Sequence, residues 1–224
     1  TGTYERPPNG NFDYPDGASE TGIDDAQTLV SGHDQQLQNT SYTISVSNRA
    51  DGEETASLTY RYDNEKELSL RTEDLRESQN EIVEDYNNQE IVIAQNLGSN
   101  NVTYQRNFLR QPAPYTAGFE LRNFIGAANY TATEVVQQED GTEVVVYEVD
   151  GLSEQTQQQV DDLTGEVRLS ENGQFTRVDL NVTTTVRGQE ITENQVVEFS
   201  DVGSTSVEDP DWLSTARQQT EEPE

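Results

Sequence analysis

The chain has 224 residues, 31% of them hydrophobic, and carries 43 Asp and Glu against 13 Lys and Arg, a formal net charge of −30. With no cysteine, no methionine and one histidine, it has no disulfide, no thiolate metal site and no cysteine nucleophile, and His33 alone builds neither a zinc centre nor ordinary Ser-His-Asp machinery. The absence of a basic stripe to neutralise phosphates excludes nucleic acid as a partner.

Lys66 is the only lysine, a stronger signal than acidity alone. Self-repulsion at this charge destabilises a compact state in dilute buffer. At 1 M salt the Debye length falls to about 3 Å and most of that penalty disappears. Hydrated carboxylates keep a surface soluble where salt already strengthens apolar burial. The expectation is a halophilic, extracellular protein. An acidic disordered chain has the same charge-to-hydrophobicity ratio, but the periodic strands below argue for a fold. The chain does not begin with Met, so a processed or trimmed product is expected, and no apolar run approaches a membrane span.

Residues 1–20, rich in Pro, Gly, Asn and Asp, read as an extended arm. Asn9, Asn11, Asp13 and Asp16 loosely follow a calcium-loop spacing, but Tyr14 stands where such a loop needs glycine, so a turn-rich arm without metal is the better reading. Thr21 and Asp24 resemble a capping box. Ile23, Ala26, Leu29, Val30, His33 and Leu37 then recur at helical spacing, which makes His33 a buried histidine rather than a ligand.

From Ser41 the period becomes two. Tyr42, Ile44 and Val46 form one strand; after the Asp51-Gly52 turn, Ala56, Leu58, Tyr60 and Tyr62 form the next, and Leu68 and Leu70 continue the pattern. Strands follow near 80–86, 89–96 and 101–108, giving an antiparallel meander with one dry and one wet face. Pro112 and Pro114 interrupt it. Tyr115, Phe119, Leu121, Phe124 and Ile125 then suit a short apolar helix. A second β block starts at Asn129, with Val144–Val149 as its most apolar strand. Residues 153–163 read as a polar helical insert opening at a Ser153 cap, and strands near 164–170, 174–187 and 189–200 complete the block.

This order predicts an α+β fold: a single curved antiparallel sheet, a half-barrel, with helices packed on its concave face. Residues 21–213 form one domain, between the arm at 1–20 and an acidic polar tail at 214–224. Sequons at Asn39, Asn101, Asn129 and Asn181 are candidate glycosylation sites, against roughly three expected by chance from this composition. No P-loop or dinucleotide fingerprint is present, no cofactor or metal is implied, and 43 acids make carboxylate pairs too common to signal an enzyme. The feature with functional content is apolar and aromatic: Tyr115, Phe119, Phe124 and Ile125, beside Tyr60, Tyr62 and Tyr130, are candidates to line a ligand pocket. An ordinary helix-on-sheet core explains the same residues.

Several short patterns resemble haloarchaeal surface lipoproteins related in fold to LolA and LppX. They are Tyr14-Pro15-Asp16-Gly17 before the Asp25–Leu37 helix, Asn39-Thr40-Ser41-Tyr42-Thr43, Asn129-Tyr130-Thr131, Phe199-Ser200-Asp201-Val202-Gly203 and Pro210-Asp211-Trp212. The resemblance covers residues 13–213. It implies a half-barrel over helices, a cavity holding lipid, and tethering at the membrane periphery through a lipidated cysteine upstream of Thr1. Two non-enzymatic functions compete: binding of a lipid or other apolar ligand, and structural self-assembly into a filament or surface layer through residues 1–20, an arm able to add a strand to a neighbour's sheet.

Overall fold

The computed structural model describes residues 5–8, 12–76, 78–110, 113–138 and 141–220. Asn9, Asn11, Pro112 and the last residues of the tail, 221–224, lie outside them. The elements are β1 (Glu5–Arg6), β2 (Ala18–Ser19), β3 (Gly22–Ile23), α1 (Ala26–Leu37), β4 (Tyr42–Ala50), β5 (Glu53–Asp63), β6 (Leu68–Leu75), β7 (Ser78–Asp85), β8 (Glu90–Leu97) and β9 (Thr103–Phe108). They continue with α2 (Gly118–Gly126), β10 (Ala128–Gln137), β11 (Glu143–Leu152), β12 (Asp162–Ser170), β13 (Phe175–Val186), β14 (Gln189–Ser200) and α3 (Leu213–Gln219). The protein is mostly antiparallel sheet, 52% strand against 15% helix, and the sheet is not closed into a barrel.

The chain divides into two compact units. The first comprises residues 1–38, 48–54 and 116–199, the second residues 39–47, 55–115 and 200–224.

In the first unit, β10 to β14 pair antiparallel in chain order, and β1 adds to the outer edge of β10 with Glu5 opposite Val136 and Arg6 opposite Val135. Register sorts the side chains into two faces, because directly paired residues project to the same side. One face carries Val145, Tyr147, Val167, Leu169, Phe175 and Val178, each at most 1% exposed. The other carries an ionic lattice: Arg168 pairs with Glu166 at 2.7 Å, and Arg177 with Asp179 at 2.8 Å and Glu198 at 2.5 Å. The β2–β3 hairpin reaches the apolar face, where the Tyr147 hydroxyl donates to the Ser19 carbonyl at 2.9 Å.

α1 begins five residues after Thr21. Its N-cap is Asp25, whose carboxylate accepts the Thr28 N–H at 3.0 Å, while Thr21 hydrogen-bonds Ser19 beside the hairpin turn. Only Asp25 has its oxygen within reach of a free helix N–H. Leu29, Val30, His33 and Leu37 are buried, as their spacing predicts.

In the second unit, β5 to β9 also pair in chain order. Here the expectation of one dry face is corrected. Tyr60 stands opposite Arg71 and Tyr62 opposite Ser69, so Leu68 and Leu70 project to the opposite side of the sheet from the two tyrosines. Both faces bury apolar groups. Leu68, Leu70, Val83 and Val92 form a core with Val207, Leu213 and Ala216, which arrive from the C-terminal segment.

That segment includes a helix not foreseen from composition. α3, at the start of the polar tail, turns Leu213 and Ala216 inward. Trp212 stacks on Tyr104 with ring centroids 6.1 Å apart and donates to Glu81 at 2.5 Å. Arg217 holds the buried Glu90 through Nε at 3.0 Å and Nη2 at 2.6 Å, and Arg106 pairs with the same carboxylate. Upstream, the Lys66 ammonium donates to the Val207 carbonyl at 2.5 Å and pairs with the buried Asp63 at 3.5 Å. The sole lysine thus fastens the C-terminal segment.

The insert at 153–163 also differs from expectation. Ser153 does cap, accepting the Thr156 N–H at 3.4 Å, but the helix is one 3-10 turn, Thr156–Gln158. None of its residues is buried, and a helix this short gains nothing without an apolar face to dock.

Candidate functional site

The first unit contains a joint between its two long helices. Asp34 of α1 accepts the Thr116 hydroxyl at 2.6 Å and the Arg122 guanidinium at 3.3 Å. α2 starts at Gly118, where a Cβ would lie 2.7 Å from an Asp34 carboxylate oxygen. A side chain at 118 would displace this carboxylate or move α2 away from α1. The residue preceding Asp34, His33, is fully buried between Phe175 and Phe199, with ring centroids 5.3 and 4.5 Å distant, and its Nδ1 accepts the Phe175 N–H at 3.2 Å. Burial pushes its pKa down to about 4, against the opposing pull of Asp34 and the Thr116 backbone. The ring is neutral and structural at any pH near 7.

Beyond this joint, the C-terminal end of α2 and the 3-10 turn flank a half-open cavity of about 460 Å³ on the apolar face of the sheet. Its apolar wall is Phe124, Val160, Leu163, Leu180 and Val182. Its rim is Arg122, Asn123, Gln155, Thr156 and Gln159. Gly126 and Ala127 close the helix end without bulk, and a Cβ on Gly126 would meet nothing within 4 Å. None of the lining residues is acidic. Two other cavities of this unit each have carboxylates in their walls, Asp16 and Glu171 in one, and Glu148, Glu166 and Asp179 in the other.

The expected pocket residues fall into both units. Tyr60, Tyr62 and Tyr115 lie in the second, where with Tyr42 and Tyr86 they pack ring against ring at centroid distances of 5.5 to 6.2 Å. Their polar tips are tied together as well. The Tyr60 hydroxyl bonds Tyr86 at 3.2 Å and accepts the Tyr115 N–H at 3.1 Å, and Tyr86 donates to Glu84 at 2.8 Å. Burial pushes the Tyr60 pKa up to about 12. These rings fill space with one another.

Phe119, Phe124, Ile125 and Tyr130 lie in the first unit. Phe124 lines the cavity. Ile125 is 2% exposed in the core, and the Tyr130 hydroxyl donates to the Phe124 carbonyl at 3.0 Å. Phe119, expected to face a cavity, is instead 73% exposed. The reason is helical phase: Gly118, Leu121 and Ile125 form the buried stripe of α2, and Phe119 is one step of about 100° off it.

Sequence reasoning did not single out Gln155, Gln159 or Leu163. A glutamine-rich run carries no periodic signal, and only the fold brings it over Leu163 and Leu180. Of the sequons, Asn39, Asn101 and Asn129 are exposed and Asn181 is half-buried on β13. Among the described residues no helix is long and apolar enough to cross a membrane. No protein-family model matches this chain, and no curated protein matches it.

Proposed function

We propose that this chain is a halophilic cell-surface protein, extracellular and non-enzymatic, that binds a lipid or another apolar ligand on the helix-covered face of its sheet. The observation that carries this reading is the cavity walled by Phe124, Val160, Leu163, Leu180 and Val182. Its volume of about 460 Å³ falls in the range of small-molecule sites, roughly 300–1,000 Å³. The charge of −30 supports a high-salt habitat, and exposed sequons at Asn39, Asn101 and Asn129 fit a glycosylated surface. A LolA- or LppX-like half-barrel accords with an open antiparallel sheet covered by helices, and a lipidated cysteine upstream of Thr1 would place the protein at the membrane periphery. The test is mass spectrometry of organic extracts from protein purified in high salt. A stoichiometric apolar compound, lost on substituting Leu163→Arg, supports the reading; a chain that is empty and takes up no ligand defeats it.

A second reading, a structural subunit of a filament or surface layer, is favoured by β1. Among the described residues of the arm, Glu5 and Arg6 pair with the edge of β10, a place that a neighbour's arm could take. Light scattering in about 3 M salt, where charge is screened, distinguishes the two. An assembly that dissolves on deleting residues 1–20 supports this reading, and a monomer excludes it.

A further inference from the structure

We infer that the cavity between α2 and the 3-10 turn recognises an uncharged, hydroxyl-rich ligand with one apolar face, a saccharide unit, rather than an acyl chain. The inference rests on the proposal that this cavity is a ligand site and departs from it in the class of ligand, a sugar ring presenting its C–H face where that proposal has a lipid or another apolar compound.

Three primary amides stand on its rim: Asn123, Gln155 and Gln159. All three are exposed, and none makes a hydrogen bond to protein among the described residues. Each amide offers two donors and two acceptor sites. That mixed set matches vicinal hydroxyls, which both donate and accept. Opposite them, Phe124, Leu163 and Leu180 provide a wall suited to the C–H face of a sugar ring. An acyl chain in the same place would meet the wall and make no use of the amides.

Charge argues for neutrality. In a chain with 43 carboxylates among 224 residues, the lining contains none, so nothing there holds a cation. The one cationic side chain, Arg122, is already engaged by Asp34 at 3.3 Å, and the net charge repels anions. At molar salt, ion pairing at an exposed rim is screened within about 3 Å. Short-range hydrogen bonding and apolar contact are what remain effective.

The experiment uses the full chain in molar KCl. Methyl glycosides of glucose, mannose and galactose, with 1-octanol in parallel, are followed by saturation-transfer NMR and titration. The expected result is binding of at least one glycoside with transfer concentrated on ring C–H protons, weakened about tenfold or more by N123A/Q159A. Circular dichroism checks that the variant is folded. Octanol binding without any glycoside binding overturns the inference and leaves the ligand site standing. No binding of either overturns both. Glycoside binding unaffected by the double variant places the sugar elsewhere and overturns the inference.

Discussion

The two units cover their sheets by different means. In the first, α1 and α2 lie on the apolar face, joined at Asp34 and wedged by the neutral His33. In the second, the covering segment is the C-terminal stretch, fastened where Lys66 donates to the Val207 carbonyl, the Val207 N–H donates to the buried Asp63, and Arg217 pairs with the buried Glu90. A chain with only 13 basic side chains puts two of them, Lys66 and Arg217, into one closure. Charge pairs that are partly buried are screened much less by salt than exposed ones. Helix-on-sheet covering leaves gaps wherever a helix ends, and the cavity of the first unit lies at such an end.

The sharpest way to break this comparison is R217A. It removes two hydrogen bonds from Glu90 and leaves a buried carboxylate with Arg106 as its remaining cation. The expected loss is about 3 kcal/mol, read as a lower denaturant midpoint. Hydrogen exchange should report it locally, with residues 207–216 losing protection and α1 unchanged. Equal loss in α1 would mean that the two units unfold as one.

His33 gives the first unit a pH dependence. Its folded pKa of about 4 lies below the ordinary value of 6.5, so between those values the unfolded chain binds the extra proton. Stability therefore falls as pH drops from 6.5 towards 4, by about 3 kcal/mol in all. H33Q should flatten the slope between pH 6.5 and 5, whatever it costs at neutral pH. Asp63 in the second unit acts at lower pH. Burial alone would raise its pKa, but the N–H groups of Val207 and Lys66 and the Lys66 charge together hold it below the usual value. The stability it contributes is present above the ordinary carboxylate pKa and is lost as pH falls through the depressed one. An unchanged slope in H33Q would remove the histidine from the account.

Turns and strands were legible in the sequence because their signals are local. Asp51-Gly52 has positive φ at both positions, 51° and 82°, as tight hairpins demand. The face on which a strand buries its side chains was not legible. Leu68 and Leu70 continue the alternation of Tyr60 and Tyr62 in sequence, yet register sends them to the other side. α3 was hidden for another reason: its buried Leu213 and Ala216 are too few to make a periodic pattern, and its stability comes from Arg217 and Trp212 finding Glu90 and Glu81 across the chain. The cavity's amides had no signal at all.

The Asp34 joint offers a smaller effect. G118A places a methyl group 2.7 Å from a carboxylate already held by Thr116 and Arg122, and a shift of α2 to relieve it should cost about 1–2 kcal/mol. Because α2 forms one lip of the cavity, ligand affinity should fall with it. A stability loss that leaves affinity intact would separate the joint from the site.

Phe119 gives the smallest effect and the most direct check on how α2 is phased. It is 73% exposed, so F119S should change stability by no more than about 0.5 kcal/mol and leave cavity binding unaltered. Phe124, five residues on, is half-buried and in the cavity wall, and F124S should weaken binding while also loosening the helix. The pair compares two phenylalanines of one short helix that are indistinguishable by composition. If F119S weakens binding as much as F124S, α2 is rotated from the phase described and its apolar face is the one that the sequence alone suggested. If only F124S does, the stripe of Gly118, Leu121 and Ile125 sets the phase, and the exposed Phe119 ring is free for another use on the surface.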